Sequence, residues 1–189
     1  MKKQYINKDI FYIENFLNNE LLSEIVNLIN NNQGWVNENI SLSTPSIKYF
    51  DKELTYKMKQ YFDSHLSYPN MPSTIKKMDP FYVSRYKQDQ FLFSHWDGNP
   101  VDHPESRFRY AIILYINDDF DGGELFYSKI NTLIKPKKNM LVCHKADSED
   151  YEHEIKKVLS GNRYSVTSFI YCCNNSYTDC RCIINEANI

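Results

Sequence analysis

From about Met78 to Tyr171 the chain consists of short runs rich in Val, Ile, Tyr, Phe and Thr, each closed by Gly, Asn, Asp or Pro. That texture is the signature of antiparallel strands joined by short turns, in a sandwich or barrel. It predicts strands near 81–86, 90–96, 107–117, 123–128, 139–144, 152–158 and 163–172, with turns at 97–104, 117–122, 136–139 and 160–162. Upstream the period changes. Leu21, Leu22, Ile25, Val26 and Ile29 recur at spacings of three and four, which predicts a helix over 13–32. A second helix is predicted over 50–66, with Asp51 as its N-cap. The expected architecture is mainly β: two N-terminal helices packed on an eight-strand-like sandwich. It divides into a helical support region at 1–77, a β core at 78–172 and a cysteine-containing tail at 173–189, all within a single folded domain.

The bulk numbers fit one core. A chain of 189 residues, 42% hydrophobic, can bury one well-formed interior. With 22 basic and 24 acidic side chains the net charge is −2, which favours neither nucleic acid nor an anionic membrane as partner. The start, MKKQYINKDIFYIENF, is basic but has no uninterrupted apolar segment after it, so no secretory signal is expected. The longest apolar run, near Ala111–Ile116, is far too short to span a bilayer. A cytoplasmic protein is expected, its five cysteines reduced. Four of them crowd into 171-YCCNNSYTDCRC-182, without the paired C-x-x-C spacing of familiar zinc sites. No role is assigned to Cys172, Cys173, Cys180 or Cys182.

The chemistry concentrates around 91-FLFSHWDGNP-100. Alternation along a strand puts His95 and Asp97 on one face, where imidazole and carboxylate supply two ligands for a divalent metal. The pair alone is weak evidence: chance supplies about 0.6 His-x-acid matches in such a chain, and His103-x-Glu105 is a second one, in a loop-like setting. A third ligand has to come from His103, His144 or His153. His153 has the best surroundings, because a hairpin through 160–162 would return Arg163, Ser165 and Thr167 to its neighbourhood on one face. A metal ligand beside a fixed guanidinium can hold the two ends of one small carboxylate. His144, nine residues before His153, could face the same cavity but is not assigned as a ligand.

At these residues the sequence resembles the iron(II)- and 2-oxoglutarate-dependent oxygenases, in particular their prolyl 4-hydroxylase-like branch. His95-x-Asp97 with His153 matches the 2-His-1-carboxylate triad. Arg163-x-Ser165 matches the site for the 5-carboxylate of 2-oxoglutarate. Tyr86 and Tyr115 match pocket tyrosines, 110-YAIILYINDDFDGGELFY-127 resembles the strand, loop and Gly-Gly-Glu return, and 134-IKPKKNMLVC-143 the Pro-Lys-x-Gly turn. Asn139 stands where that turn usually has Gly, and tolerates the same left-handed conformation. Leu92 replaces a common aromatic residue. Arg163 replaces the lysine of collagen-type prolyl hydroxylases, which argues against that subgroup.

The resemblance implies a double-stranded β-helix, or jelly roll. It also implies Fe(II), 2-oxoglutarate and O2 as cofactors and co-substrate, with ascorbate as a candidate reductant. The implied reaction hydroxylates a substrate C–H bond and releases succinate and CO2; because Asp97 is present, halogenation is disfavoured. The leading substrate is a prolyl residue of a protein or peptide. Lysine, a free amino acid or another small metabolite is the alternative, and a non-catalytic module that retains its metal belongs to a different class. A zinc hydrolase on the same three ligands ranks last, for want of a general base at a diagnostic spacing. Oligomeric state stays open.

Overall fold

The computed structural model describes residues 1–66 except Asn32 and Asn39, together with 76–78, 81–98 and 108–172; for 76–78, 108–109 and 171–172 it describes the backbone. The strands are β1 (Gln4–Tyr5), β2 (Ile10–Ile13), β3 (Ser46–Tyr49), β4 (Lys76–Met78), β5 (Tyr82–Lys87), β6 (Leu92–His95) and β7 (Phe108–Tyr115). They continue with β8 (Asp121–Gly122), β9 (Leu125–Tyr127), β10 (Thr132–Ile134), β11 (Met140–Lys145), β12 (His153–Ile155), β13 (Val158–Ser160) and β14 (Asn162–Cys172). The helices are α1 (Asn19–Asn30) and α2 (Lys52–His65).

The large sheet runs β1-β2-β11-β7-β14-β5-β3, with β4 also paired to β14. A second sheet runs β10-β9-β12-β6, and β8 pairs with β13. All these pairings are antiparallel. The run 110-YAIILYI-116 explains how the layers stack. Tyr110, Ile112, Leu114 and Ile116 share a core with Leu21, Ile25, Met58 and Phe62 of the helices. Ile113 and Tyr115, on the other face of β7, share a second core with Leu125, Tyr127 and Ile155 of the smaller sheet. A central strand covered on both sides loses the apolar–polar alternation of a half-buried one. The helices therefore buttress the outer face of the large sheet, and the smaller sheet closes its inner face, as in a double-stranded β-helix.

Helix α2 starts where expected, with Asp51 accepting from the Leu54 N–H at 2.8 Å. Helix α1 starts later than the predicted 13. Ile10–Ile13 pair with β11 as strand β2, Asn15 turns the chain at φ 52°, and Asn18 caps the helix by accepting from the Leu21 N–H at 2.9 Å. The expected strand at 152–158 divides into β12 and β13. The hairpin expected to return Arg163 beside His153 is absent: after Gly161 (φ 78°) the chain leaves β13, which pairs with β8, and enters the large sheet as β14. Strands β1, β2, β3, β4, β8 and β10 are additional to the sequence reading, β8 lying in the segment predicted as the turn at 117–122. Among the described residues no helix is long and apolar enough to cross a membrane. His103, Glu105 and the tail at 173–189, with Cys173, Cys180 and Cys182, lie outside the described residues, as does the Cys172 side chain; Cys143 is a buried free thiol.

Candidate active site

Strands β6 and β12 are neighbours in the smaller sheet, and His153 is the register partner of His95. Their rings lie 4.5 Å apart, centre to centre. Asp97 does not continue the strand, as alternation would have it. β6 ends at His95, and Asp97 opens a turn held by the Gly98 N–H, which donates to Ala146 O at 2.9 Å. A Cβ on residue 98 would lie 2.5 Å from that oxygen, so the approach requires glycine. The turn brings the carboxylate back: Oδ1 is 3.4 Å from His95 Nε2, and Oδ2 is 3.9 Å from His153 Nε2. One donor atom from each of the three residues lies within 4.8 Å of the others.

The imidazoles are set for ligation. His95 Nδ1 lies 2.9 Å from Phe93 O and His153 Nδ1 lies 3.0 Å from Tyr151 O. A carbonyl only accepts, so both Nδ1 atoms donate and the Nε2 lone pairs are left facing the carboxylate. Burial drives the His153 pKa down to about 3, against the pull of Asp97, which keeps the ring neutral. Burial opposes ionisation of Asp97, but the imidazoles around it outweigh that, with His144 Nε2 donating a hydrogen bond to Oδ2, and the carboxyl lies well below its usual range. Two lone pairs and an anion converging on one point is an arrangement that a cation completes. Two histidines and one carboxylate are the donor set of the facial triad of non-haem Fe(II) oxygenases.

The same cavity, about 310 Å³, is lined at a second point by Arg163 and Ser165 of β14 and by Tyr86 of β5. Register brings them together, since Arg163 pairs with Tyr86 and Ser165 with Tyr115. Arg163 is fully buried; its Nε donates to Gly123 O at 3.0 Å and its Nη1 to Ser165 Oγ at 2.9 Å. The guanidinium lies 5.3 Å from the Tyr86 ring centre and 5.0 Å from that of Tyr115. Burial raises both phenol pKa values, that of Tyr86 to about 12, although the Arg163 charge opposes this, so both hydroxyls stay protonated. Among the described residues, Arg163 Nη2 and Tyr115 Oη have no hydrogen-bond partner. A buried guanidinium short of a partner is costly, and a carboxylate is the group that matches its fork.

His95, Asp97, His153, Arg163, Ser165 and Tyr86 thus line one cavity, and Tyr115 stands against the guanidinium. Leu92, Leu125 and Ile155 supply apolar wall. The sequence reading left His144 unassigned and did not single out Tyr127. His144 is buried, with Nε2 2.9 Å from Asp97 Oδ2 and Nδ1 2.7 Å from the Tyr127 hydroxyl. Alternation in β11 carries the signal, because Met140, Val142 and His144 share a face and the first two belong to the inner core. Tyr49 and Tyr82, register partners that also line the cavity, were missed as well.

The sequence profile of the 2OG-Fe(II) oxygenase superfamily matches residues 81–171. These residues belong to that superfamily. Fe(II) and 2-oxoglutarate are its cofactors, and the unpartnered Arg163 Nη2 and the convergent lone pairs fit them. Over 69 residues the chain is 36% identical to mouse prolyl 3-hydroxylase 2, which covers 33% of this chain and 10% of that protein. The chain thus spans about a tenth of the length of the curated relatives it matches. The fold is similar to the viral collagen prolyl hydroxylase of Paramecium bursaria Chlorella virus-1, with TM-score 0.65, 18% identity and coverage of 87% of this chain and 96% of that one. It is similar also to a Trichoplax adhaerens prolyl hydroxylase solved with a hypoxia inducible factor peptide, with TM-score 0.67, 18% identity and coverage of 87% and 84%.

Proposed function

We propose that the protein is a 2-oxoglutarate-dependent dioxygenase that hydroxylates a prolyl residue of a protein or peptide. The observation that carries the oxygenase reading is the pairing, within one cavity, of a His95–Asp97–His153 donor set with a buried arginine short of a partner. The prolyl reading rests on the relatives' names. O2 is the oxidant: with Fe(II) bound, the site would couple hydroxylation of a substrate C–H bond to oxidation of 2-oxoglutarate to succinate and CO2, one oxygen atom going to each product. In this proposal His95, Asp97 and His153 hold the metal. Arg163 binds the distal carboxylate of 2-oxoglutarate, Ser165 fixes the guanidinium from below, and the Tyr86 and Tyr115 hydroxyls donate towards the same carboxylate. Leu92, Leu125 and Ile155 keep water from the space between. The division into support region, core and tail, and a cytoplasmic site of action, belong to the same reading.

The test is succinate formation. Apoprotein given Fe(II), 2-oxoglutarate, ascorbate and proline-containing peptides should release succinate and add one oxygen to a prolyl residue, read by mass spectrometry. Succinate without prolyl hydroxylation would redirect the search to lysine, free amino acids and other small metabolites. Neither succinate nor a 2-oxoglutarate-dependent absorption band would leave a non-catalytic module.

A further inference from the structure

We propose that His144 is a positioning residue for the iron site: it holds Asp97 in the one rotamer that presents Oδ1 to the metal. The proposal rests on the triad reading above. Asp97 sits in a turn beyond the end of β6, so neither strand register nor neighbouring Cβ atoms fix its χ angles as register fixes His95 against His153. What holds the carboxylate is a linear chain of hydrogen bonds. His144 Nε2 lies 2.9 Å from Asp97 Oδ2, and because a carboxylate only accepts, Nε2 donates. Nδ1 is then left to accept from the Tyr127 hydroxyl at 2.7 Å. Tyr127 and His144 are almost completely buried, and burial first of all keeps the Tyr127 phenol protonated.

The chain divides the two carboxylate oxygens between two tasks. Oδ2 is spent on His144, while Oδ1, 3.4 Å from His95 Nε2, stays on the side of the convergent lone pairs. Each member sits on a different strand or turn of the inner core: Tyr127 on β9 of the small sheet, His144 on β11 of the large sheet, Asp97 after β6. The chain therefore ties the ligand to both sheets at once. A partner that orients a ligating carboxylate is worth about 10- to 100-fold in metal affinity.

The experiment is an anaerobic titration of apoprotein with Fe(II) alone, repeated with Co(II), whose visible absorption reports ligand geometry. Wild type is compared with His144→Phe, His144→Gln, Tyr127→Phe and Asp97→Ala, and each apoprotein is checked by circular dichroism. His144→Phe should bind Fe(II) about 10- to 100-fold more weakly and alter the Co(II) bands. His144→Gln, whose amide N–H can reach Asp97 in place of Nε2, should recover most of the affinity. Tyr127→Phe should shift in the same direction by less. Wild-type affinity in His144→Phe, or equal loss in a folded His144→Gln, overturns the proposal; if His144→Phe does not fold, unchanged affinity in both His144→Gln and Tyr127→Phe against a loss in Asp97→Ala supports rescue by the amide only if the Co(II) bands of Tyr127→Phe move, and overturns the proposal if they do not. Wild-type affinity in Asp97→Ala is the separate result that sinks the triad reading itself.

Discussion

His95 and His153 are register partners on neighbouring antiparallel strands, and each donates its Nδ1 proton to the carbonyl two residues behind it. Both Nε2 lone pairs consequently converge on Asp97, the one anion of the set. Asp97→Ala should abolish Fe(II) binding and turnover while the apoprotein keeps its circular dichroism spectrum, since a buried charge with a desolvation cost is removed. Full iron binding in that variant would eliminate the triad.

Arg163 is oriented from two sides, by Gly123 O and Ser165 Oγ, which leaves Nη2 for a ligand. Arg163→Ala should weaken 2-oxoglutarate binding by about 2 to 5 kcal/mol, the usual cost of truncating a buried charge-assisted contact. Arg163→Lys should recover only part, because an ammonium cannot form the bidentate fork. The readout is 2-oxoglutarate titration of the Fe(II) protein; unchanged affinity in Arg163→Ala would mean another group binds the carboxylate.

Gly123 has φ 65°, and a Cβ there would lie 2.9 Å from Arg163 Cδ and 3.1 Å from the Phe120 ring. Gly123→Ala should therefore destabilise the fold by about 1 to 2 kcal/mol through the left-handed backbone, and also displace the guanidinium. Denaturant unfolding reads the first effect and 2-oxoglutarate affinity the second. Loss of stability with wild-type 2-oxoglutarate affinity would show that Arg163 adjusts without leaving its site.

Asn139 clamps the N-terminal segment to the core. Its Oδ1 accepts from the Leu17 N–H at 2.8 Å and its Nδ2 donates to Leu17 O at 2.9 Å. Asn139→Gly keeps the left-handed backbone (φ 59°) but strands both buried Leu17 groups, at a cost of about 1 to 3 kcal/mol. Denaturant midpoints should fall while Fe(II) affinity holds; an unchanged midpoint would show that water or a backbone shift satisfies Leu17.

Phe62 anchors α2 against the large sheet, 4.8 Å from the Phe16 ring centre and 5.4 Å from that of Phe81. Phe62→Ala should cost about 3 to 5 kcal/mol, the transfer term plus the cavity left in a well-packed site. Thermal unfolding checks it, and a loss below about 1 kcal/mol would mean that the helices contribute little to the sandwich.

The amino-acid sequence by itself determined the local matters. Turn residues and β-branched runs located most core strands, Asp51 and the Leu21–Ile29 stripe located the helices, and alternation put Arg163 and Ser165 on one face, where they hydrogen-bond. The type and order of His95, Asp97, His153 and Arg163 carried the resemblance to the iron(II)- and 2-oxoglutarate-dependent oxygenases, and with it the expectation of a metal and a dicarboxylate in one site. Tertiary structure decided what depends on pairing distant segments. Ile13 looks helical beside the stripe that follows, and Ile10–Ile13 become strand because β11 offers them a ladder. Arg163 meets the site through pairing with β5 and β7, because β14 leaves β13 and joins the other sheet. Asp97 lies past the end of its strand, where alternation stops applying, and reaches the histidines through a turn pinned to Ala146 and a hydrogen bond from His144. Sequence period reports the face a residue occupies on its own strand; which strands become neighbours is a property of the folded whole.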